Sequence, residues 1–219
     1  MNKINLINLF FIAYLSCFFI SCKKNIHLDA SYEEDYHKNY NYFNFTNDLV
    51  AHFPHKDQLF ENSSFVIDTS GYYNTEEFNL TVRNCKSLIN NIKKRYANKK
   101  IYSINDSCLI AVNDFLIKSK LIFSDEIKDK KSKVPLHCNA DFAVIPNFWD
   151  ENLNYRDDST ICKLKKDFKY IIIESKKGIF SDKIDLGFSS MPDEIKHGYS
   201  RGLSFSDTQD VLIYWLIIW

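Results

Sequence analysis

The sequence predicts an α+β fold, in a single compact domain with an antiparallel or mixed sheet, a C-terminal hairpin and a few packed helices. Three observations support this prediction. Short runs rich in β-branched and aromatic residues, as at 63–70 and 169–176, recur between turn residues. Two other segments carry apolar residues at helical spacing. The chain ends in two apolar runs on either side of a polar turn.

Two helices are predicted from the spacing of apolar residues. The first lies within 29–53, where an aromatic stripe is expected to pack against the domain and a short second turn follows up to Pro54. The second lies within 84–100, with basic residues at its C-terminal end, where they favour the helix dipole. The apolar faces are formed by Tyr32, Tyr36, Tyr40 and Phe43, then Leu49, Val50 and Phe53, and in the second helix by Cys85, Leu88, Ile89, Ile92 and Tyr96.

Strands are predicted at 63–70, 101–104, 108–112, 141–146 and 169–176, while 115–123 fits a helix or a strand equally well. The last segment, 211–219, reads VLIYWLIIW and has nine apolar residues in a row. A strand without polar alternation is covered on both faces, so we expect a central position in the sheet. With the preceding GLSF and a polar turn, this segment predicts a terminal hairpin.

The N-terminus predicts a secretory signal peptide. Lys3 precedes an apolar run from Leu9 to Ile20, and Ser21-Cys22 is followed at once by two lysines. The run is too short for a spanning helix, which needs about 20 apolar residues.

The residues Phe19-Ile20-Ser21-Cys22 resemble the lipobox of bacterial lipoproteins. The resemblance implies cleavage before Cys22 and a lipid anchor on its thiol. It divides the chain into a signal peptide (1–21), a tether (22–28) and one α+β domain (29–219). With the stretches 47–54, 144–149 and 197–219, the chain resembles a group of uncharacterised Bacteroidota lipoproteins. That resemblance implies an outer-membrane lipid anchor on the periplasmic face, and it carries no known activity.

Charge and length limit the partners. The signal contains one charged residue, Lys3, so the mature chain has 198 residues with 27 basic and 28 acidic side chains. This length usually makes one domain. A balanced charge argues against nucleic acid as a partner, because phosphate binding needs a surplus of positive charge. We expect the membrane, through the lipid on Cys22, and an envelope protein as partners.

Four cysteines of the mature chain, besides Cys22, predict disulfides in an exported protein. Of the three possible pairings we expect the sequential one, Cys85–Cys108 and Cys138–Cys162. A metal site is the alternative, but no Cys/His spacing typical of zinc is present, so neither metal nor cofactor is expected.

Three patterns carry a hint of catalysis, and none predicts a catalytic residue. His137-Cys138, with His197 as a distant base, lacks a protease signature. Ser200 lies in a Gly-x-Ser-x-Gly pattern, but a strand rather than a helix is predicted after it, and its glycines are expected to bend the chain into the hairpin. The third is an acidic neighbourhood whose spacing is not diagnostic for glycoside hydrolysis: Asp141, Asp150, Glu151, Asp157 and Asp158.

The sequence therefore predicts a lipid-anchored envelope protein that binds a partner without catalysis. Phe148, Trp149 and Tyr155 are the candidates for an exposed contact surface. Two alternatives remain open: an envelope hydrolase acting on glycan or peptide, and an immunity lipoprotein that neutralises a toxin.

Overall fold

The computed structural model describes residues 30–44, 48–59, 62–69, 75–84, 86–112, 143–148, 157, 160, 162–184, 191 and 195–219. Two α-helices, α1 and α2, and one 3₁₀ turn accompany eight strands in this part of the chain. The helical elements are α1 (Ala30–Asn44), the 3₁₀ turn (Lys56–Gln58) and α2 (Lys86–Arg95). The strands are β1 (Ser63–Asp68), β2 (Glu76–Arg83), β3 (Ile101–Ser103), β4 (Leu109–Ala111), β5 (Ala143–Ile145), β6 (Lys169–Lys177), β7 (Gly198–Ser206) and β8 (Val211–Ile218).

Six strands form one antiparallel sheet in the order β1-β2-β8-β7-β6-β3. The strands β4 and β5 form a separate parallel pair. β8 lies between β2 and β7, and every one of its residues is buried. The predicted α+β class, the terminal hairpin and the central position of the last strand are confirmed.

One face of the sheet is covered by α1, the turn after it and α2. The predicted aromatic stripe packs here: the Phe78 ring of β2 stacks on Phe53 at 4.6 Å and on Phe43 at 5.7 Å. Tyr36 is fully buried, and its hydroxyl donates to the Pro54 carbonyl at 2.7 Å. Because each aromatic ring removes a large apolar area from water, this layer supplies much of the core.

The helix α2 covers the same face of the sheet near the β7–β8 turn. Ile89 and Ile92 are its buried residues, as its apolar spacing predicts. At its basic C-terminal end, Lys93 forms an ion pair of 2.6 Å with Asp207 and lies 4.9 Å above the Phe205 ring.

The opposite face is covered by the β4–β5 pair and the segment before β6. Buried side chains of this layer pack against the other side of β8, where Phe148 meets the Trp215 ring edge to face at 6.5 Å. The central strand is therefore enclosed on both sides, which is why its sequence is apolar throughout.

The glycines of the Gly-x-Ser-x-Gly pattern do not form the bend that we expected from the sequence. Both glycines belong to β7: Gly202 lies beneath the indole ring of Trp215 in β8, and Gly198 beneath that of Trp219, directly after β8. A Cβ on Gly202 would lie 2.4 Å from Trp215 Cζ2 and 2.3 Å from the Ile171 carbonyl oxygen. The glycines are needed because the tryptophans and a neighbouring strand approach this backbone closely.

The β-branched run at 169–176 predicts a largely buried strand, but β6 is buried only at Tyr170 and Ile171, and its end from Ser175 is exposed. The ambiguous segment 115–123 lies outside the described residues. Of the helices in the described ranges, none is long and apolar enough to cross a membrane.

Candidate binding cleft

A cleft of about 710 Å³ opens at one end of the sheet. It lies between the C-terminal end of α1, the first residue of β2, the last residue of β8 and the segment that follows β6. β2 and β8 meet here because Glu76 pairs with Ile218 in the register of the sheet. The lining consists of Asn41, Tyr42, Phe43, Glu76, Ile179, Phe180, Ser181, Asp182, Lys183 and Ile218.

The local structure explains how a carboxylate comes to lie in this cleft. Glu76 is two residues before Phe78 on β2, so both side chains point to the helix-covered face of the sheet. Its side chain is only 2% exposed. A buried carboxylate needs partners, because desolvation of an isolated charge costs several kcal/mol.

Two side chains from distant parts of the sequence satisfy Glu76. The Tyr42 hydroxyl donates to Glu76 Oε1 at 2.6 Å. Lys183 Nζ lies 3.7 Å from the same oxygen and 4.4 Å above the Tyr42 ring. Lys183 also donates to the Thr69 carbonyl at 3.1 Å, so the ammonium is held at the mouth of the cleft by several protein groups.

The electrostatics keep both donors protonated at neutral pH. Partial burial, together with the hydrogen bond to Glu76, raises the pKa of the Tyr42 phenol above its usual value. The hydrogen bond with Tyr42 raises the pKa of the Lys183 ammonium. Neither group is therefore available as a base at neutral pH.

The walls of the cleft are apolar. Phe43 and Ile218 are almost fully buried. Phe180 meets the Tyr199 ring edge to face at 4.6 Å, which fixes its position. Ile179 is 64% exposed at the rim, an unusual position for a large aliphatic side chain. The segment leaves β6 at Gly178, whose φ of +136° is a conformation that favours glycine.

The contact surface predicted from the sequence is wrong for Phe148. This side chain is 2% exposed and packs on Trp215 in the core, because the segment after β5 covers the sheet instead of facing solvent. Trp149 and Tyr155 lie outside the described residues.

The predicted disulfide between Cys138 and Cys162 is also wrong. Cys162 is a free thiol, fully buried, with its sulfur 2.9 Å from the Tyr170 hydroxyl. Burial raises the pKa of this thiol, which makes it an unreactive core residue. Cys108 is disulfide-bonded. Its partner is not among the described residues, and neither are Cys22, Cys85 and Cys138.

The remaining sequence patterns have structural roles where they are described. Ser200 is fully buried within β7 and donates to the Glu174 carbonyl at 3.5 Å, so no nucleophile elbow is formed. Asp157 uses its backbone in a turn: its N–H donates to Lys163, and its carbonyl accepts from Thr160. The described residues contain no group of three His, Cys, Asp or Glu able to hold a metal. The other acidic candidates and His137 lie outside them: Asp141, Asp150, Glu151 and Asp158.

The residues of the cleft were not identified from the sequence. Tyr42, Glu76 and Lys183 come from three separate elements, and no spacing connects them. One signal was present: Glu76 continues the alternation of Phe78 and Leu80, which places an acidic residue on an apolar face. Comparison with protein-family profiles, with curated proteins and with solved structures found no match.

Proposed function

We propose that this chain is a lipid-anchored envelope protein whose domain binds a small amphipathic molecule in the cleft without converting it. The observation that carries the proposal is the buried carboxylate of Glu76, held by Tyr42 and Lys183 at the base of an apolar cleft. Binding sites for small molecules typically have 300–1,000 Å³, mainly apolar walls and a few fixed polar groups. The cleft, at about 710 Å³, has each of these properties.

Binding rather than catalysis is supported by the state of the polar groups. Tyr42 and Lys183 remain protonated at neutral pH and donate to acceptors within the protein. A general base must be free to take a proton from the substrate, so neither Tyr42 nor Lys183 can serve as one. The network is therefore suited to orienting a ligand, since its hydrogen bonds are formed before the ligand arrives.

The lipid anchor rests on the sequence around Cys22. One acyl chain binds a membrane only marginally, whereas two or more chains anchor a protein stably. We expect Cys22→Ala to abolish palmitate labelling and membrane sedimentation. Cys17→Ala, inside the predicted signal peptide, is the matched control and should label like the unchanged chain. Labelling that survives Cys22→Ala would exclude this anchor.

The cleft is tested with the neutral fluorescent probe N-phenyl-1-naphthylamine, which brightens in apolar surroundings. We expect saturable binding with one site per chain. Ile179→Glu places a charge at the rim of the cleft and should weaken binding about tenfold or more, because a carboxylate must then be desolvated. Ile179 is 64% exposed, so the change leaves the core intact.

Ile101→Glu is the matched control, since Ile101 is also an exposed isoleucine, at 48%, but lies on the edge strand β3. It should bind the probe like the unchanged chain. Equal weakening by both substitutions, or no saturable binding at all, would contradict the proposal.

A further inference from the structure

We infer that the polar end of the ligand is an uncharged hydrogen-bond donor, the hydroxyl of an alcohol with an aliphatic or aromatic body, which donates to Oε2 of Glu76. The inference rests on the proposed binding function and names the chemical class that the same cleft would accept.

The first step concerns the two oxygens of Glu76. Oε1 accepts from Tyr42 at 2.6 Å and lies 3.7 Å from the Lys183 ammonium. Oε2 accepts no hydrogen bond from the described residues, although Glu76 lines the cleft. A carboxylate oxygen has acceptor capacity for about two donors, so this oxygen is an unused acceptor.

The second step concerns charge. The negative charge of Glu76 is compensated by Lys183, whose ammonium also donates to the Thr69 carbonyl. An anionic ligand would be repelled by Glu76 and would find the nearby ammonium already bound. A cationic ligand would approach Oε2 within a few ångströms of Lys183 and be repelled. An uncharged donor gains the hydrogen bond without either repulsion.

The third step concerns the body of the ligand. Phe43, Phe180 and Ile218 form the walls, and Ile179 extends them to the rim. Burial of apolar surface stabilises a complex by roughly 25 cal/mol per Å², so an aliphatic or aromatic group is favoured here. The polar group at the base and the apolar walls together select an amphipathic alcohol.

The experiment uses four probes with the same chain: 1-octanol, octyl methyl ether, octanoate and octylammonium. Each displaces N-phenyl-1-naphthylamine from the unchanged protein at pH 8, and the dissociation constants are compared. We expect 1-octanol to bind about tenfold more tightly than the ether, because a hydrogen bond to a charged acceptor is lost in the ether. Octanoate should be the weakest of the four, and octylammonium should bind less tightly than 1-octanol.

Lys183→Met gives the sharpest test, because it removes the compensating charge and keeps an apolar stem of similar length. The Lys183 side chain is 42% exposed, so the substitution leaves the packing of the core intact. In this variant octylammonium should become the tightest ligand, with its preference over 1-octanol shifted about tenfold. Lys94→Met, an exposed lysine of α2 outside the lining, should leave the order of the four probes unchanged.

The outcomes separate the two proposals. Displacement by all four probes with equal affinity would overturn the inference about the donor and leave the binding function standing. An unchanged order of affinities in Lys183→Met would also overturn it. Failure of the fluorescent probe to bind at all would overturn the binding function itself.

Discussion

Two adjacent glutamates on β2 show how a strand places the same side chain in two environments. Glu76 faces the helices and is held by Tyr42 and Lys183. Glu77 points to the opposite face, where burial raises the pKa of its carboxyl to about 7. The Asn79 amide donates to it and opposes the rise, while Asp68, directly across on β1, adds to it.

The raised pKa of Glu77 predicts a specific dependence of stability on pH. Between the unfolded pKa of about 4.5 and the folded value of about 7, the folded state binds more protons than the unfolded state. Stability is therefore lost as pH rises through this window. We expect Glu77→Gln to stabilise the protein by about 1–2 kcal/mol at pH 8 and by little at pH 4, as measured by denaturant unfolding. The expected stabilisation is smaller than the full pKa shift implies, because the Glu77 side chain is partly exposed and solvent screens its charge.

The comparison must be made between variant and unchanged protein, because His52 acts in the opposite direction. Burial lowers the pKa of its imidazole to about 3, and its Nε2–H donates to the Trp215 carbonyl at 3.1 Å. Its contribution is fully present above pH 6.5 and is lost as pH falls. It cancels in the difference. A Glu77→Gln difference that is equal at pH 4 and pH 8 would contradict the prediction.

At the scale of elements, the β7–β8 hairpin depends on close contact between glycine and tryptophan. A Cβ on Gly202 would meet the Ile171 carbonyl oxygen at 2.3 Å and the Trp215 ring at 2.4 Å. We expect Gly202→Ala to destabilise the protein by about 2–3 kcal/mol, since the clash includes backbone that cannot rotate away. Denaturant unfolding measures the change, and Ser175→Ala, on the exposed end of β6, is the control. A loss below about 0.5 kcal/mol, which is the scatter of surface substitutions, would contradict the prediction.

The order of the sheet also bears on the partner of Cys108. In sequence, Cys85 immediately precedes α2, which covers one face of the sheet, whereas Cys108 immediately precedes β4, which covers the opposite face. The six-stranded sheet lies between these two layers, and since packed layers are about 10 Å apart, α2 and β4 are roughly 20 Å apart. Disulfides need Cα atoms within about 7 Å. By contrast, Leu109 pairs with Ala143, five residues after Cys138 in the sequence.

We therefore predict a Cys108–Cys138 disulfide in place of Cys85–Cys108. Proteolysis without reduction, followed by mass spectrometry, should yield a linked pair of peptides containing these two cysteines. Cys162 should be alkylated only after unfolding, because it is buried. A linked peptide containing Cys85 and Cys108 would refute the pairing.

The elements predicted correctly are those whose pattern is local. The aromatic stripe of α1 and the nine apolar residues that begin at Val211 each identify an element and its burial. β2 was missed, although Phe78, Leu80 and Val82 alternate with polar residues as a strand requires. Its polar residues, among them Asn79 and Thr81, are buried on the second face, which the sequence alone does not show.

At the scale of the whole molecule, the sheet is enclosed by helices on one face and by the β4–β5 pair on the other. The cleft lies at the end of the sheet, where α1 and the segment after β6 pass over Glu76. Such a site depends on contacts between residues more than a hundred positions apart. Composition and spacing indicate only local structure. The ion pair between Lys183 and Glu76 therefore could not be predicted before the fold was known.

The same architecture predicts where the folded domain begins. The sequence places the boundary between tether and domain at residue 29, and α1 contributes Tyr36, Tyr40 and Phe43 to the core. We expect a chain that begins at residue 29 to unfold at the same denaturant concentration as one that begins at residue 22. A chain that begins at residue 45 loses three buried aromatic side chains, each worth roughly 2 kcal/mol or more. That loss equals much of the 5–15 kcal/mol by which domains are typically stable, so this chain should not unfold cooperatively.

Lys38→Ala, an exposed position on α1, is the control for changes in the helix that leave its buried face intact, and it should unfold like the unchanged chain. Lower stability of the chain beginning at residue 29 would mean that residues 22–28 contribute to the fold, because a tether without contacts adds nothing to the free energy of unfolding. Cooperative unfolding of the chain beginning at residue 45 would mean that α1 is dispensable. In that case Tyr42, which lines the cleft, would belong to a helix that the stability of the domain does not require.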